Sequence, residues 1–503
     1  MDKFELMSKE DLITFARLEQ DFRVKLLKEV MRLRSLNDEL KEQSLWLGDQ
    51  LLTVKSKIFG KSSEQMTLEP ASSEERSGKE KKKEARVKVQ LPSERYPDAT
   101  IIERDVTLAT PPECKCCQAK MSDSGMTEDS EFLTVIPKQF LVIRQKRHKY
   151  RCGNCHGDIV TAPAPPRIKE GSTYSDEMMV DVALTKYCDL VPIERYAAMA
   201  GREGLKDLPA QSLIETTHYV ADAVRPAYGK LKQELTPSLV LHADETPHRM
   251  LEGDRKSNWF LWGFSGPKTS FFECHDTRSG DVAAKFLNDS SCEYLACDVY
   301  TGYGKAVRET NEIRHAKGLP KIQRVYCNAH ARRKFVEAFE KYPNDAEFFI
   351  KKYQEIYHLE SESKGKPPDE VAHYRARMIP LFEQMREKSF ELMPEYSTKS
   401  TMGKALRYYT GNLAGFTLFT KNPSLPIDNN SQERLLRNPV IGRKTWYGTH
   451  SRRGAETAAI LFSLVESCKL NRLNPREYFR KLIAAIHAGQ PALTPKELAE
   501  LPN

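Results

Sequence analysis

The sequence predicts a multidomain protein of mixed α and β structure, in which an N-terminal coiled coil precedes an α/β domain with a helical insertion. Three observations predict this fold class. Apolar residues recur every seven positions near the N-terminus, and two Cys-x-x-Cys pairs lie in a short turn-rich segment. Five strand-like segments are then separated from the C-terminal helices by a long helical block.

The composition excludes several classes of protein. Of the 503 residues, 40% are hydrophobic, which is enough for sizeable cores and excludes a wholly disordered chain. No apolar run approaches the roughly 18 residues of a membrane-spanning helix, and the N-terminus does not resemble a signal peptide. The net charge of +8 weakly favours an anionic partner. Eleven cysteines in such a chain indicate metal ligands and buried thiols more than disulfides.

Residues 1–64 are predicted to form a coiled-coil helix. The apolar residues that repeat every seven positions are Leu26, Leu33, Leu40, Leu47 and Val54. Asn37 and Ser44 interrupt the second core position, which lowers stability and could fix the register. We therefore expect a homodimer or higher oligomer, with an amphipathic helix packed on its own chain as the alternative. Residues 65–108 are predicted to be a charged linker, because large apolar side chains are scarce there.

Residues 109–160 are predicted to form a zinc-ribbon domain. Two Cys-x-x-Cys turns can hold one tetrahedral Zn²⁺ through Cys114, Cys117, Cys152 and Cys155. The segment 131–151 between them is expected to form the strands of a long hairpin. Cys116 and His156 are rival ligands, and unrelated buried thiols are the alternative to a structural zinc site.

The remainder of the chain is divided by its pattern of helices and strands. Residues 161–232 are predicted to form a helical region that binds DNA. The strand-like segments SLVLHADE, NWFLWGF, TSFFECH, EYLACDV and QRVYCNA lie within or near residues 233–335, the first part of the α/β core. Residues 336–426 are predicted to be a helical insertion, and residues 427–503 the last part of the core with C-terminal helices.

Three carboxylates stand out by their context. Asp244 ends an apolar strand, Asp298 ends a second one, and Glu433 begins a helix. Each has an ordinary alternative, such as capping a turn or favouring a helix N-terminus. Together, two acids on neighbouring strands and one on a following helix can hold two Mg²⁺ ions that act on a phosphodiester. Packing these acids together without cations would be electrostatically costly.

Basic residues surround these acids in the sequence. From Arg434 to Arg453 there is no acid, and Trp446 lies in the middle of this run. Basic side chains bind phosphate and aromatic rings stack on bases, so we expect DNA contact, with a solvated basic surface as the alternative. The candidate DNA-binding residues are His330, Arg332, Arg333, Lys334, Arg434, Arg437, Arg443, Lys444, Trp446, Arg452 and Arg453.

In these motifs the chain resembles the transposases of insertion sequence family 66, which are DDE transposases. The resemblance rests on IFGKSSE at 58–64, the paired Cys-x-x-Cys turns, KYCDLVPIER at 186–195, ADET at 243–246, CNAHARRKF at 327–335 and DNNSQERLLR at 428–437, continued by GRK at 442–444. It implies an RNase H-like catalytic core with Asp244 on the first strand, Asp298 on the fourth and Glu433 on the helix after an insertion.

The resemblance also implies an activity and its partners. Two Mg²⁺ or Mn²⁺ ions at the carboxylates would serve cleavage at the terminal inverted repeats and strand transfer into target DNA. Asn429, Asn430, Arg434, Arg437 and His330 would support the site, although the two asparagines could cap the Glu433 helix and His330 could be a satisfied buried histidine. Accessory proteins encoded by the same element are possible partners, and a bacterial, nucleoid-associated cytoplasmic location is expected. The alternatives are an RNase H-fold nuclease or resolvase and a non-catalytic DNA-binding derivative.

Overall fold

The computed structural model describes residues 8–59, 91–97, 99–106, 110, 112–121, 126, 130–136, 138–151, 159–251 and 258–501. It divides into two units, one formed by residues 1–64 with 144–503 and the other by residues 65–143. Several predicted features lie outside the described residues. They are most of the linker at 65–108, residues 60–64 of the IFGKSSE motif, and Cys152, Cys155 and His156. Within the described ranges, no helix combines the length and apolar character needed to cross a membrane.

The N-terminal segment forms a single long helix, α1 (Lys9–Phe59). The heptad residues Leu26, Leu33, Leu40 and Leu47 are all more than half exposed. Near its C-terminal end the helix contacts the rest of its unit, since Glu42 accepts hydrogen bonds from Ser397 and Thr398. The leucine positions are thus left open along a helix that is attached at its other end, which is compatible with the predicted pairing to a second copy.

The unit of residues 65–143 contains little regular structure. Among its described residues there is one short helix, α2 (Pro92–Arg95), and the Ser93 hydroxyl donates to Glu131 at 2.8 Å. The predicted strands at 131–151 are absent from the described residues 131–136 and 138–148. Side chains such as Phe132, Val142 and Ile143 are exposed there. These apolar residues therefore do not pack against a second layer of described residues, which a stable strand pairing would need. That prediction is wrong except at β1 (Lys149–Arg151), which belongs to the larger unit.

The larger unit continues with a two-stranded ribbon and three helices. Strand β1 pairs antiparallel with β2 (Ile159–Thr161). The helices are α3 (Asp176–Tyr187), α4 (Ile193–Arg202) and α5 (Ala210–Leu235). Helix α3 begins where Ser175 accepts a hydrogen bond from the Met178 N–H, and most of its side chains are buried. These helices occupy the region predicted to be helical.

A five-stranded mixed sheet follows. Its elements are β3 (Val240–Arg249), β4 (Asn258–Ser265), β5 (Ser270–His275), α6 (Gly280–Asn288), β6 (Tyr294–Cys297), α7 (Thr301–Ala316) and β7 (Gln323–Tyr326). The strand order is β5-β4-β3-β6-β7, with β3, β4 and β5 antiparallel and with β6 and β7 parallel to β3. These strands are the five strand-like segments of the sequence, since β-branched and aromatic side chains suit a buried pleated surface.

A helical block interrupts the sheet domain. It comprises α8 (Asn328–Phe339), α9 (Pro343–Ser363), α10 (Pro368–Ala376), α11 (Ile379–Leu392), α12 (Thr401–Gly411) and α13 (Leu413–Thr417), with 3₁₀ turns at Met393–Glu395 and Leu418–Lys421. Its core is aromatic, with Phe335 and Phe349 stacked at a centroid distance of 4.2 Å. The buried Arg375 pairs with Glu360 at 2.6 Å and donates to the Phe419 carbonyl, which closes the block.

Four helices complete the chain: α14 (Asn430–Trp446), α15 (Arg452–Leu470), α16 (Pro475–His487) and α17 (Pro495–Ala499). The buried α15 covers the edge strand β5, because its Ser463 and Ser467 hydroxyls accept hydrogen bonds from the N–H groups of Phe272 and Ser270. Much of the basic run from Arg434 to Arg453 lies on α14, which extends to Trp446, and the loop between α14 and α15 is confined to residues 447–451.

Candidate active site

The three predicted carboxylates come from β3, from the residue that directly follows β6, and from α14. The prediction that Asp244 ends its strand is wrong, because β3 continues to Arg249 in antiparallel pairing with β4, and Asp244 lies in the middle of this central strand. Strands β3 and β6 are parallel, with His242 opposite Ala296. Asp244 lies two residues further along β3, and Asp298 lies two residues beyond Ala296, so both side chains belong to the same face of the sheet. Glu433 is in the first turn of α14, which packs on β3.

Helix α14 packs closely on strands β3 and β4. Gly263 of β4 is the antiparallel partner of Asp244, and the buried side chain of Gln432 lies directly against it. A side chain at position 263 would collide with Gln432 and with the ring of Phe272. The glycine therefore lets the helix approach the strand closely enough for Glu433 to reach Asp244.

The charges of the neighbouring acids act on Asp244. Burial raises the pKa of the Asp244 carboxyl well above its ordinary value, and the negative charges of Glu245, Asp298 and Glu433 raise it further. A divalent cation would relieve this repulsion, and carboxylate oxygens are the ligands that Mg²⁺ prefers. The donor set of Asp244, Asp298 and Glu433 therefore fits the predicted metal ions.

A fourth acid was missed in the sequence. Glu245 points away from Asp244 and is buried, where it forms an ion pair with Arg278 at 2.6 Å and accepts a hydrogen bond from the Tyr303 hydroxyl at 2.6 Å. Burial raises the pKa of the Glu245 carboxyl, although both partners oppose the shift. Its position directly after Asp244 in the sequence could have indicated a role for Glu245 near the site. The Arg278 pair indicates that Glu245 fixes the strand, since its oxygens are already engaged.

Two further side chains lie close to Glu433: that of His330 in α8 and that of Cys327, the residue before α8. Ligand atoms of Cys327, His330 and Glu433 lie within 4.8 Å of one another, and His330 Nδ1 is 3.5 Å from Glu433 Oε1. That nitrogen is itself buried and forms no hydrogen bond within the described part of the chain, so the alternative of a satisfied buried histidine does not hold there. Cys327 was missed, although its Cys-x-x-His spacing after a strand was visible.

Asn429 ties the strand to the helix. Its Nδ2 donates to the Ala243 carbonyl at 2.9 Å, so its Oδ1 accepts from His242 Nδ1 at 2.9 Å. Its backbone N–H also donates to the sulfur of Cys327 at 3.2 Å. The alternative that Asn429 caps α14 is wrong, because its side chain makes no capping bond. Asn429 instead holds β3, Cys327 and the start of α14 in one arrangement.

The predicted DNA-binding residues separate into two groups. Arg434, Arg437 and Lys444 are exposed and form no ion pair with an acid in the described part of the chain. Five others have partners: Arg333 with Glu433 (3.8 Å), Lys334 with Glu337, Arg452 with Glu456, Arg453 with Glu215 and Asp222, and Arg443 with the Pro247 carbonyl. Arg332 is half-buried in α8. Trp446 is half-buried beside Tyr187 and Lys186.

The first cysteine pair forms a tight hairpin in the unit of residues 65–143. Glu113 bridges to Lys120, and the Gln118 N–H donates to the Cys114 carbonyl at 2.9 Å. The N–H groups of Cys117 and Cys116 donate to the sulfur of Cys114 and lower the pKa of its thiol. A thiolate stabilised in this way is suited to bind zinc, so this half of the predicted site fits the metal.

Near the end of β3, a buried histidine links the strand to the loop before α15. His248 Nε2 lies 2.9 Å from the Thr449 hydroxyl, and burial lowers the pKa of His248 to about 4. Between the ordinary pKa near 6.5 and this value, the unfolded chain binds a proton that the folded chain does not. We therefore expect stability to fall by up to about 3 kcal/mol as the pH drops through this window.

Urea denaturation at several pH values between 7 and 4 measures this loss. His248→Gln should flatten the acid limb of the stability curve relative to the unchanged protein. His358→Gln serves as the control, because His358 is exposed on α9. Equal acid limbs for the unchanged chain and for His248→Gln would contradict the assignment.

Comparison with known proteins identifies the family. The model of the IS66 transposase family matches residues 171–457, more than half of the chain, and the model of the zinc-finger binding domain of IS66 transposases matches residues 111–156. The chain therefore belongs to the IS66 family of transposases, which confirms the family predicted from its motifs. The first match covers all three carboxylates, and the second covers both cysteine pairs.

Individual relatives span most of the chain. It is 25% identical over 478 residues to the uncharacterized protein y4hP of Sinorhizobium fredii, covering 90% of this chain and 84% of that protein. It is 26% identical to y4jD and 28% identical to y4qI of the same organism, over 397 and 386 residues. These matches cover 76% and 72% of this chain and 76% and 69% of the relatives. The similarity thus extends over most of this chain and most of each relative.

Proposed function

We propose that this protein is a DNA transposase that binds the terminal inverted repeats of its insertion sequence and catalyses strand cleavage and strand transfer with two metal ions. The observation that carries the proposal is that Asp298 and Glu433 lie near Asp244 of the central strand, where burial and the charges of the neighbouring acids raise the pKa of the Asp244 carboxyl. Family membership supports a transposase as the class of protein.

The topology supports an RNase H-like core. Three antiparallel strands are followed by two that are parallel to the first, in the order β5-β4-β3-β6-β7. On this interpretation Asp244 is on the first strand and Asp298 directly follows the fourth, with Glu433 on α14 after the helical insertion. The buried Asn328 side chain links the insertion to the core, because it donates to the carbonyls of Phe416 and Ile427.

In the proposed reaction, Asp244, Asp298 and Glu433 hold Mg²⁺ or Mn²⁺. When bound, the ions supply an activated attacking oxygen and stabilise the leaving oxygen of the phosphodiester. Asn429 keeps α14 in register with β3, and His330 lies beside Glu433 on the side of α8. The exposed Arg434, Arg437 and Lys444 on the same helix are the proposed phosphate contacts, since they have no acid partner among the described residues.

The proposed assembly is a homodimer or higher oligomer through α1, whose heptad leucines are exposed. An oligomer would bring two element ends together. One structural Zn²⁺ would be held by Cys114, Cys117, Cys152 and Cys155, and accessory proteins of the same element are further possible partners.

A strand-transfer assay tests the proposed function. The protein is incubated with Mg²⁺ and a labelled duplex that carries the end of the element, beside a Glu433→Gln variant of the same shape. We expect the unchanged protein to cleave and join DNA, and the variant to bind DNA without either reaction. Cleavage without joining would identify a nuclease, and equal cleavage by both proteins would remove Glu433 from the site.

Removal of zinc tests the cysteine site separately. Chelation is expected to release one Zn²⁺ per chain and to disorder residues 109–160, because zinc binding free energy is folding free energy in such small domains. The sheet domain should keep its thermal transition, since Cys114 and Cys117 are not among its buried core residues. Cys114→Ser should reproduce the loss of metal, measured by atomic absorption. Cooperative unfolding of the whole chain on chelation would show that the cysteine domain is not independent.

A further inference from the structure

A cavity of about 490 Å³ opens beside the loop that follows Asp298. Its walls come from α7, from β7 and from Asn412 between α12 and α13, so it lies between the sheet and the helical insertion. Tyr300 forms part of the wall, and its backbone N–H donates to Oδ1 of Asp298 at 2.9 Å. The cavity is therefore lined by the loop that follows Asp298, a proposed metal-binding carboxylate, although Asp298 itself is not part of the lining.

The charged side chains in the cavity wall are basic. They are Lys305, Arg308 and Arg324, and none of the described residues that line the cavity is an acid. Lys305 pairs with Asp281 at 2.6 Å. Arg308 and Arg324 form no ion pair with an acid in the part of the chain that the structure describes. Two unpaired guanidinium groups in one cleft repel each other, so the cleft favours an anion.

The guanidinium of Arg324 is held in place by its neighbours. It lies 5.0 Å from the ring centroid of Tyr326 and against Gly304 in the first turn of α7, where a Cβ would approach its Nη1 to 3.0 Å. The glycine thus leaves the space that this group occupies. A cation beside the positive end of a helix is unfavourable unless an anion accompanies it. A fixed planar guanidinium is suited to bind phosphate through two parallel hydrogen bonds.

Basic residues continue along α7. A second cavity of about 440 Å³ shares Arg308 and is also lined by His315 and Lys321, together with the single acid Glu312. An extended polyanion with phosphates at regular spacing would follow this lining better than a single small anion.

We propose that the first cavity binds a DNA backbone phosphate close to the one that is cleaved, with Arg308 and Arg324 as its ligands. This inference rests on the proposed function, because it takes the same DNA strand to be held at the carboxylates. The phosphate belongs either to the element end or to target DNA, and both present the same chemistry to the two arginines.

Salt dependence of binding tests the proposal. Fluorescence anisotropy is measured between about 50 and 200 mM salt with an element-end duplex and an unrelated duplex, in an Asp244→Asn background that leaves the DNA intact. Binding becomes weaker as the salt concentration rises, so the logarithm of the association constant falls with the logarithm of the salt concentration. Replacing Arg308 and Arg324 by alanine should make this negative slope shallower by about 1 to 2 and weaken binding roughly tenfold or more. Arg480→Ala is the matched control, because it removes an exposed arginine from α16.

Uncharged analogues of single backbone phosphates then identify which phosphate contacts the two arginines. Methylphosphonates are placed one at a time along each strand, and binding should weaken at one or two positions in the parent protein but not in the double variant. Sensitivity on the element-end duplex assigns the cavity to the element, and sensitivity on the unrelated duplex assigns it to target DNA. The exposed Arg308→Ala alone provides the test if replacement of Arg324, which packs on Tyr326, prevents folding.

Two results would overturn the inference in distinguishable ways. An unchanged salt slope and unchanged methylphosphonate pattern in the arginine variants would show that the cavity holds no phosphate, while the proposed function would stand. Absence of salt-dependent binding by the parent protein to either duplex would contradict the proposed function itself.

Discussion

Replacement of Asp244 by asparagine is expected to abolish strand cleavage and joining, with a rate loss on the order of 10³-fold or more, as for other groups that act as a unit in catalysis. Asparagine keeps the shape of the side chain but removes the charge that would hold metal. DNA binding should persist, because the exposed cations of α14 are unchanged. Gel assays of cleavage and anisotropy measurements of binding separate the two properties.

The same variant should be more stable than the metal-free parent at neutral pH. The folded state raises the pKa of the Asp244 carboxyl, so at a pH between its ordinary and raised values the folded chain binds a proton that the unfolded chain has lost. Metal-free stability therefore falls as the pH rises through this window. Asparagine removes this penalty, so an increase in the free energy of unfolding is expected.

Mg²⁺ provides the control for this interpretation. It should raise the melting temperature of the parent protein, because a ligand that binds only the folded state stabilises it, and should have little effect on Asp244→Asn. A variant that is less stable than the metal-free parent, or that responds equally to Mg²⁺, would contradict a shared carboxylate site.

The strands of the sheet could be predicted from the sequence because their signal is local. Segments such as 238–245 and 293–299 combine β-branched and aromatic residues between turn residues, and they correspond to β3 and β6. The segment 131–151 has a similar local pattern but forms strand only at β1. Local pattern thus predicts a strand correctly where a second layer covers it, and covering layers come from distant sequence.

The partners of the site residues could not be predicted, because they are distant in sequence. Position alone suggested Asp244, Asp298 and Glu433, since Asp244 follows an apolar stretch that lies within β3, Asp298 directly follows β6, and Glu433 lies in the first turn of α14. Nothing local indicated that Arg453 would pair with Glu215 and Asp222 of α5, which removes it from the unpaired cations. Periodicity and spacing identify which residues can act, whereas long-range packing decides which of them remain available.

Asn429 illustrates that distinction, and its replacement by alanine is expected to slow strand transfer by about 10²-fold, as for small misplacements of catalytic groups. Asn429 is only 2% exposed and bridges the Ala243 carbonyl and His242, so the change leaves these groups unsatisfied and costs about 1 to 3 kcal/mol of stability. Glu433 lies four residues after Asn429, in the first turn of α14, so loss of the Asn429 bonds should also displace the Glu433 carboxylate. The carboxylates should therefore bind Mg²⁺ more weakly. The Mg²⁺ concentration for half-maximal rate should therefore rise.

Asn430→Ala is the matched control for this positioning role. The Asn430 side chain donates to Asp428 within its own loop and does not reach β3 in the described structure. It should change the rate and the Mg²⁺ requirement far less than Asn429→Ala. If Asn429→Ala lowered stability but left the Mg²⁺ requirement of the folded fraction unchanged, Asn429 would be a structural residue only. A shifted requirement would instead show that the bond between Asn429 and β3 sets the distance between the carboxylates of strand and helix.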